Sequence, residues 1–131
     1  MDLENLIEAA KNAREQAYAP YSQFRVGAAI LTASGKVFTG SNIENASYGL
    51  TICAERVAVF HMVHAGEKTP EVLVLVTDTE EPVMPCGACR QVLSEFSNPD
   101  LKIVSVPLRG QAKETTLREL LPYQFRLKDL Q

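Results

Sequence analysis

The only three cysteines of the chain stand in two short runs, Cys53-Ala54-Glu55 and Pro85-Cys86-Gly87-Ala88-Cys89. Three thiolates converging on one Zn²⁺ leave its fourth tetrahedral position open to water, as in a catalytic zinc rather than a structural one. Glu55 lies two residues beyond the first thiol, where a carboxylate can carry the protons that a hydrolysis moves. A structural zinc needs a fourth protein ligand, and by type only the two histidines, His61 and His64, remain. Both follow Cys53 on one expected helix, so at a rise of ~1.5 Å per residue they sit ~12 and ~16 Å along its axis. Neither reaches the same metal within one chain, and both read as packing or surface residues. Glu55 as fourth ligand would set a hard oxygen beside three thiolates, so general acid and base is its better use.

Three thiolates on a divalent cation leave an excess negative charge, which acidifies bound water less than neutral histidines do. Arg56 follows Glu55 directly. Its guanidinium can hydrogen-bond the sulfurs and draw off that excess, the alternative being a solvent-facing helix residue.

The elements that must position these residues follow from periodicity. Leu3, Leu6, Ile7, Ala10, Ala13 and Ala17 recur at helical spacing and predict an amphipathic helix that stops before Pro20. Arg25 to Thr32 and Lys36 to Gly40 read as a hairpin about Ser34-Gly35. A polar loop follows, then a helix from near Thr51 to a stop at Gly66. The run Val72 to Thr77 marks a strand buried on both faces. A helix from about Cys86 to Phe96, a strand from Ile103 to Val106 and a short helix from Thr116 to Leu121 complete the pattern. Strands alternating with helices imply an α/β sandwich with a parallel crossover. Each cysteine run then falls at a helix N-terminus, where free amides and the helix dipole favour thiolate.

At 131 residues the chain is long enough for one domain, 1–131, and too short for two. A hydrophobic share of 46% and a charged share of 22% fit a soluble globular protein. The formal net charge of -3 gives no sign of affinity for nucleic acid or an anionic membrane. The acidic, amphipathic opening does not read as a secretory signal, and no run reaches the ~18 apolar residues of a membrane span. An odd cysteine count argues against a disulfide framework and for reduced thiols in the cytoplasm.

The two cysteine runs with Glu55 between them match the zinc deaminase signature. With Asn42-Ile43-Glu44-Asn45-Ala46 ahead of them, the chain resembles the cytidine deaminases, and among them the short, homotetrameric, all-cysteine class. The resemblance runs from the opening helix to Phe125. It implies a three-layer α/β/α sandwich around a mixed five-stranded sheet, with one zinc per chain held by Cys53, Cys86 and Cys89. It implies a salvage reaction in which water activated on zinc gives a proton to Glu55 and adds to C4 of cytosine. Uridine or deoxyuridine and ammonia are released. Phe24 matches an aromatic that packs on the base, Asn42 and Glu44 match residues that hold ribose hydroxyls, and the Ala54 carbonyl accepts from the exocyclic amine. Ala46, Tyr48 and Phe125 match residues that reach a neighbouring subunit's nucleoside.

Other readings stand beside this one. Phe24 and Phe125 serve equally as core residues, and Asn42 and Glu44 as turn and capping residues. A deaminase of another aminopyrimidine, such as a nucleoside antibiotic like blasticidin S, would not need an ordinary ribose contact. A polynucleotide editor would want a basic, aromatic groove. A zinc-binding interaction module needs no Glu55, and a thiol redox protein using Cys86 and Cys89 needs no Cys53. Arg90 and Gln91 read as helix surface.

Overall fold

The computed structural model describes residues 2–127. Helix α1 (Leu3–Arg14) leads into strand β1 (Val26–Thr32) and β2 (Val37–Ser41), which pair antiparallel. A single 3₁₀ turn (Tyr48–Leu50) precedes α2 (Ala54–His64), and β3 (Pro70–Thr77) follows. Then come α3 (Gly87–Phe96), β4 (Lys102–Pro107), β5 (Lys113–Thr116) and α4 (Leu117–Leu120). The sheet is mixed, in the order β2-β1-β3-β4-β5, and only β3 and β4 run parallel. Among the described residues no helix is long and apolar enough to cross a membrane.

Strand alternation divides the core in two. Ala28, Ile30, Leu73, Leu75 and Ile103 pack with Ala58, Met62 and Leu93 of α2 and α3 and with Leu117 of α4. Ala29, Val74, Val76 and Val104 face the other way, against Leu6 and Ala10 of α1. One helix therefore covers one face and three the other, which makes three layers around a sheet buried on both sides. Burying those apolar side chains at ~25 cal/mol per Å² is the main force holding the layers together. The middle strand β3 reads as a continuous apolar run because both of its faces are covered.

The helix that starts at Cys53 seats closely on the sheet. A Cβ on Gly40 of β2 would lie 2.5 Å from the Ala58 nitrogen and 2.6 Å from the Ala54 carbonyl oxygen. Glycine here lets the first turns of α2 lie directly on β2.

Most element ends shift by a residue or two from the sequence pattern, and three differences have a clear cause. Helix α1 ends at Arg14, because the Gln16 and Ala17 amides turn back to Ala13 and Arg14 in tighter bonds. Helix α2 begins at Ala54 and not near Thr51, because Ile52 is held extended in a bridge to Ile43. The fifth strand, Lys113–Thr116, has no apolar run, and pairing with β4 at the sheet edge defines it. Thr116 then caps α4 through its side chain, accepting from the Glu119 amide.

Candidate metal centre and pocket

Cys53 and Cys86 occupy the N-cap positions of α2 and α3, and neither sulfur caps its own helix. Cys89 follows in the first turn of α3 and is buried. The Cys53 and Cys86 sulfurs lie 3.8 Å apart and those of Cys86 and Cys89 3.3 Å apart, all three within 4.8 Å of one another. Tetrahedral Zn–S bonds of about 2.3 Å set sulfurs roughly 3.8 Å apart, so the triad is close to the dimensions one zinc requires. Among the described residues no other group of metal-binding side chains converges in this way. The histidines are elsewhere. His61 sits 3.4 Å from the Thr39 carbonyl and edge-on to Phe38, and His64 is exposed.

The surroundings favour anionic sulfur. Hydrogen bonding from Cys89 holds the Cys53 thiol down to about 5 against the cost of burial, with Arg56 and Cys86 acting in the same direction. The same bond to Cys53, together with burial, pushes Cys89 up. Arg56 Nη2 lies 3.7 Å from the Cys53 sulfur, and its buried Nε has no hydrogen-bond partner. An orphaned cationic donor beside three sulfurs fits a cluster that carries excess negative charge.

Glu55 is 6% exposed. Burial pushes its carboxyl up to about 7, and the nearby Cys53 charge adds to that, while its own backbone amide opposes it. A carboxyl poised near neutrality both accepts and returns protons at low cost.

Glu55, Cys53, Cys86 and Ala54 line one end of a cavity of about 260 Å³. Phe24, Val26, Ile52, Leu75, Val83 and Met84 give it apolar walls, and Asn42, Glu44, Ser22, Thr51 and Thr77 supply polar groups. Asn42 is nearly buried, its amide donating to the Phe24 carbonyl at 2.7 Å and its oxygen accepting from the Val26 amide at 2.9 Å. The Glu44 carboxylate accepts from the Ser22 hydroxyl and from the Tyr21 and Ser22 amides at 2.9 and 3.1 Å. These bonds, the Ser22 hydroxyl first, hold Glu44 below the ordinary carboxylate range. Both side chains thus line the pocket and also fix the loop that carries Phe24.

Ala46, Tyr48 and Phe125 do not line this cavity. Tyr48 is 88% exposed and Phe125 63%, so neither is a core residue of its own chain. Two serines that hold the pocket loops have no role in the sequence analysis. Ser22 holds Glu44, and nothing in its neighbourhood marks it. Ser105, fully buried in β4, accepts from the Val83 amide at 2.9 Å and donates to the Val83 carbonyl at 2.7 Å. Its signal was legible: a lone hydroxyl within the apolar run Ile103 to Val106 needs a partner.

Residues 1–105 match the family described as the cytidine and deoxycytidylate deaminase zinc-binding region. A cytidine deaminase of Sporosarcina psychrophila is 51% identical over 99% of this chain and 96% of its own length. One from Halalkalibacterium halodurans is 50% identical over 99% of this chain and 98% of its own. The crystal structure of cytidine deaminase from Burkholderia pseudomallei superposes with a TM-score of 0.91 at 50% identity, covering 95% of this chain and all, 100%, of that one. That of Mycobacterium tuberculosis gives 0.84 at 42% identity, over 96% and 98%. With three thiols set for one zinc beside a buried carboxyl, and relatives that match it end to end, the chain belongs to the cytidine deaminase family.

Proposed function

We propose that the chain catalyses the hydrolytic deamination of cytidine and deoxycytidine, releasing uridine or deoxyuridine and ammonia. The observation that carries this reading is a buried Glu55 beside the Cys53, Cys86 and Cys89 sulfurs at one end of an apolar cavity. Zinc held by those three cysteines, when bound, acts as a Lewis acid and lowers the pKa of water. Glu55 takes a proton from the water that adds to C4 and gives it to N3. It then takes the proton of the new C4 hydroxyl and gives it to the departing amine, which leaves as ammonia as the C4 carbonyl forms. Adding water and losing ammonia balances the reaction without an oxidant or a second cofactor. The Ala54 carbonyl accepts from the exocyclic amine. Phe24 packs against the base. Asn42 and Glu44 keep acceptor capacity beyond their loop bonds and hold the ribose hydroxyls. Arg56 withdraws charge from the sulfurs.

The setting is a cytoplasm that keeps the thiols reduced, in pyrimidine salvage, with no nucleic acid partner. The assembly is a homotetramer in which Ala46, Tyr48 and Phe125 complete a neighbour's pocket, which accounts for aromatics left exposed on the single chain. Ammonia and uridine formed one for one from cytidine test the activity. Mixing Phe125→Ala with Glu55→Gln chains tests the sharing. Pockets pairing an intact Glu55 with a neighbour's Phe125 regain activity that neither parent has alone, whereas an active monomer contradicts the shared site.

A further inference from the structure

We propose that Arg90 is a positioning residue for the metal centre, holding the peptide that delivers Cys86. The sequence gives it no role, since an arginine in an amphipathic helix ordinarily faces solvent. Here it is half-buried, and its guanidinium makes two directed bonds. Nε donates to the Pro85 carbonyl at 2.7 Å, and Nη1 donates to the Leu120 carbonyl at 2.9 Å.

The first bond reaches the centre through planar geometry. The Pro85 carbonyl oxygen and the Cys86 nitrogen and Cα share one peptide plane. Fixing the oxygen therefore fixes the point from which the Cys86 side chain departs. Pro85 is itself buried, so its carbonyl has no easy exchange with water. The second bond satisfies a carbonyl in the last turn of α4, which such a turn leaves without a helical partner. Arg90 thus ties the metal loop to α4.

The loop is held from its other side as well. Ser105 fixes both the amide and the carbonyl of Val83, two residues before Pro85. Between these two anchors the chain has little freedom, and Cys86 is presented to the metal already oriented. Without Arg90 the loop must be ordered by the metal itself, at a cost in affinity.

The proposal rests on zinc being held by Cys53, Cys86 and Cys89. Its test compares the parent with Arg90→Lys, Arg90→Met and, as a control, Arg118→Met. Arg118 lies on α4 and pairs with Asp100 at the surface. Zinc per chain and competition against a chromogenic zinc chelator are measured, with Tm for the zinc-loaded and zinc-stripped forms. Arg90→Met is expected to lose roughly 10–100-fold in zinc affinity, the usual cost of removing an outer partner of a metal ligand. Arg90→Lys, which keeps the charge but not the fork, should fall between, and Arg118→Met should match the parent. The Tm gain on zinc loading should shrink in Arg90→Met. Parent-like affinity with an equal Tm drop in both forms overturns the proposal, leaving Arg90 as a tie between α3 and α4. Should Arg90→Met not fold, parent-like affinity in Arg90→Lys overturns it alone. A parent that binds no zinc brings down the metal reading, and this proposal with it.

Discussion

Asn42 holds the backbone of Phe24 from the neighbouring strand end, donating to its carbonyl at 2.7 Å while accepting from the Val26 amide at 2.9 Å. Only one orientation of the amide satisfies both partners. A residue read from the sequence as a ribose contact is therefore also the brace of the aromatic wall.

This brace makes Asn42→Ala a substrate-binding variant with a stability cost. It strands a carbonyl and an amide, at about 1–3 kcal/mol for a buried unsatisfied group. KM for cytidine should rise more than kcat falls, and the denaturant midpoint should drop. Asn42→Asp should not rescue it, because a carboxylate then faces the Phe24 carbonyl. Unchanged KM and midpoint in both variants would remove the brace from the account.

Glu44 sets a pH limit on the same loop. Its carboxyl is held below the ordinary 4.5, chiefly by the Ser22 hydroxyl. A depressed folded pKa means the clamp is fully present above about 4.5 and is lost as pH falls through the lower folded value. Amide hydrogen exchange, corrected for intrinsic rates, should show Tyr21 and Ser22 protected from neutral pH down through 4.5 and released only below it. Glu44→Gln should lack that break. A break in the parent at or above 4.5 contradicts the assignment.

Arg56 separates charge from hydrogen bonding at the cluster. Its Nη2 sits 3.7 Å from the Cys53 sulfur. A hydrogen bond involving a charged group contributes about 1.5–3 kcal/mol, and each 1.36 kcal/mol is tenfold in rate. Arg56→Ala should lower kcat by on the order of tenfold or more, and Arg56→Gln by less, since an amide still donates to sulfur. Parallel pH–rate profiles give the readout. Two variants that turn over and titrate like the parent would show that the guanidinium leaves the cluster's charge untouched.

The cysteine runs were readable because metal chemistry constrains residue type and spacing together, and both fall where a helix starts. The β1–β2 hairpin is readable from its turn about Ser34-Gly35, and β3 and β4 from buried apolar runs, which a sheet covered on both faces demands. Strand β5 is not, because Lys113, Glu114, Thr115 and Thr116 form an edge whose pairing comes from β4 and not from burial. The start of α2 was misplaced by a bridge between Ile43 and Ile52, a contact no local pattern announces. Asn42 and Glu44 were seen as pocket residues. Their bonds to Phe24 and Ser22 span 18 and 22 residues, which only the folded chain brings together. Arg90 reads as helix surface in the sequence because its partners are backbone carbonyls, which leave no trace in side-chain composition.

On the proposed function, Glu55 moves the protons at a zinc it does not itself hold. Glu55→Gln tests it most directly, with zinc content and cytidine turnover measured on the same sample. The variant should retain one zinc per chain and a parent-like fold while kcat falls by at least ~10²–10⁴-fold, the usual weight of a positioned acid and base. Loss of the zinc, or turnover near that of the parent, would contradict it.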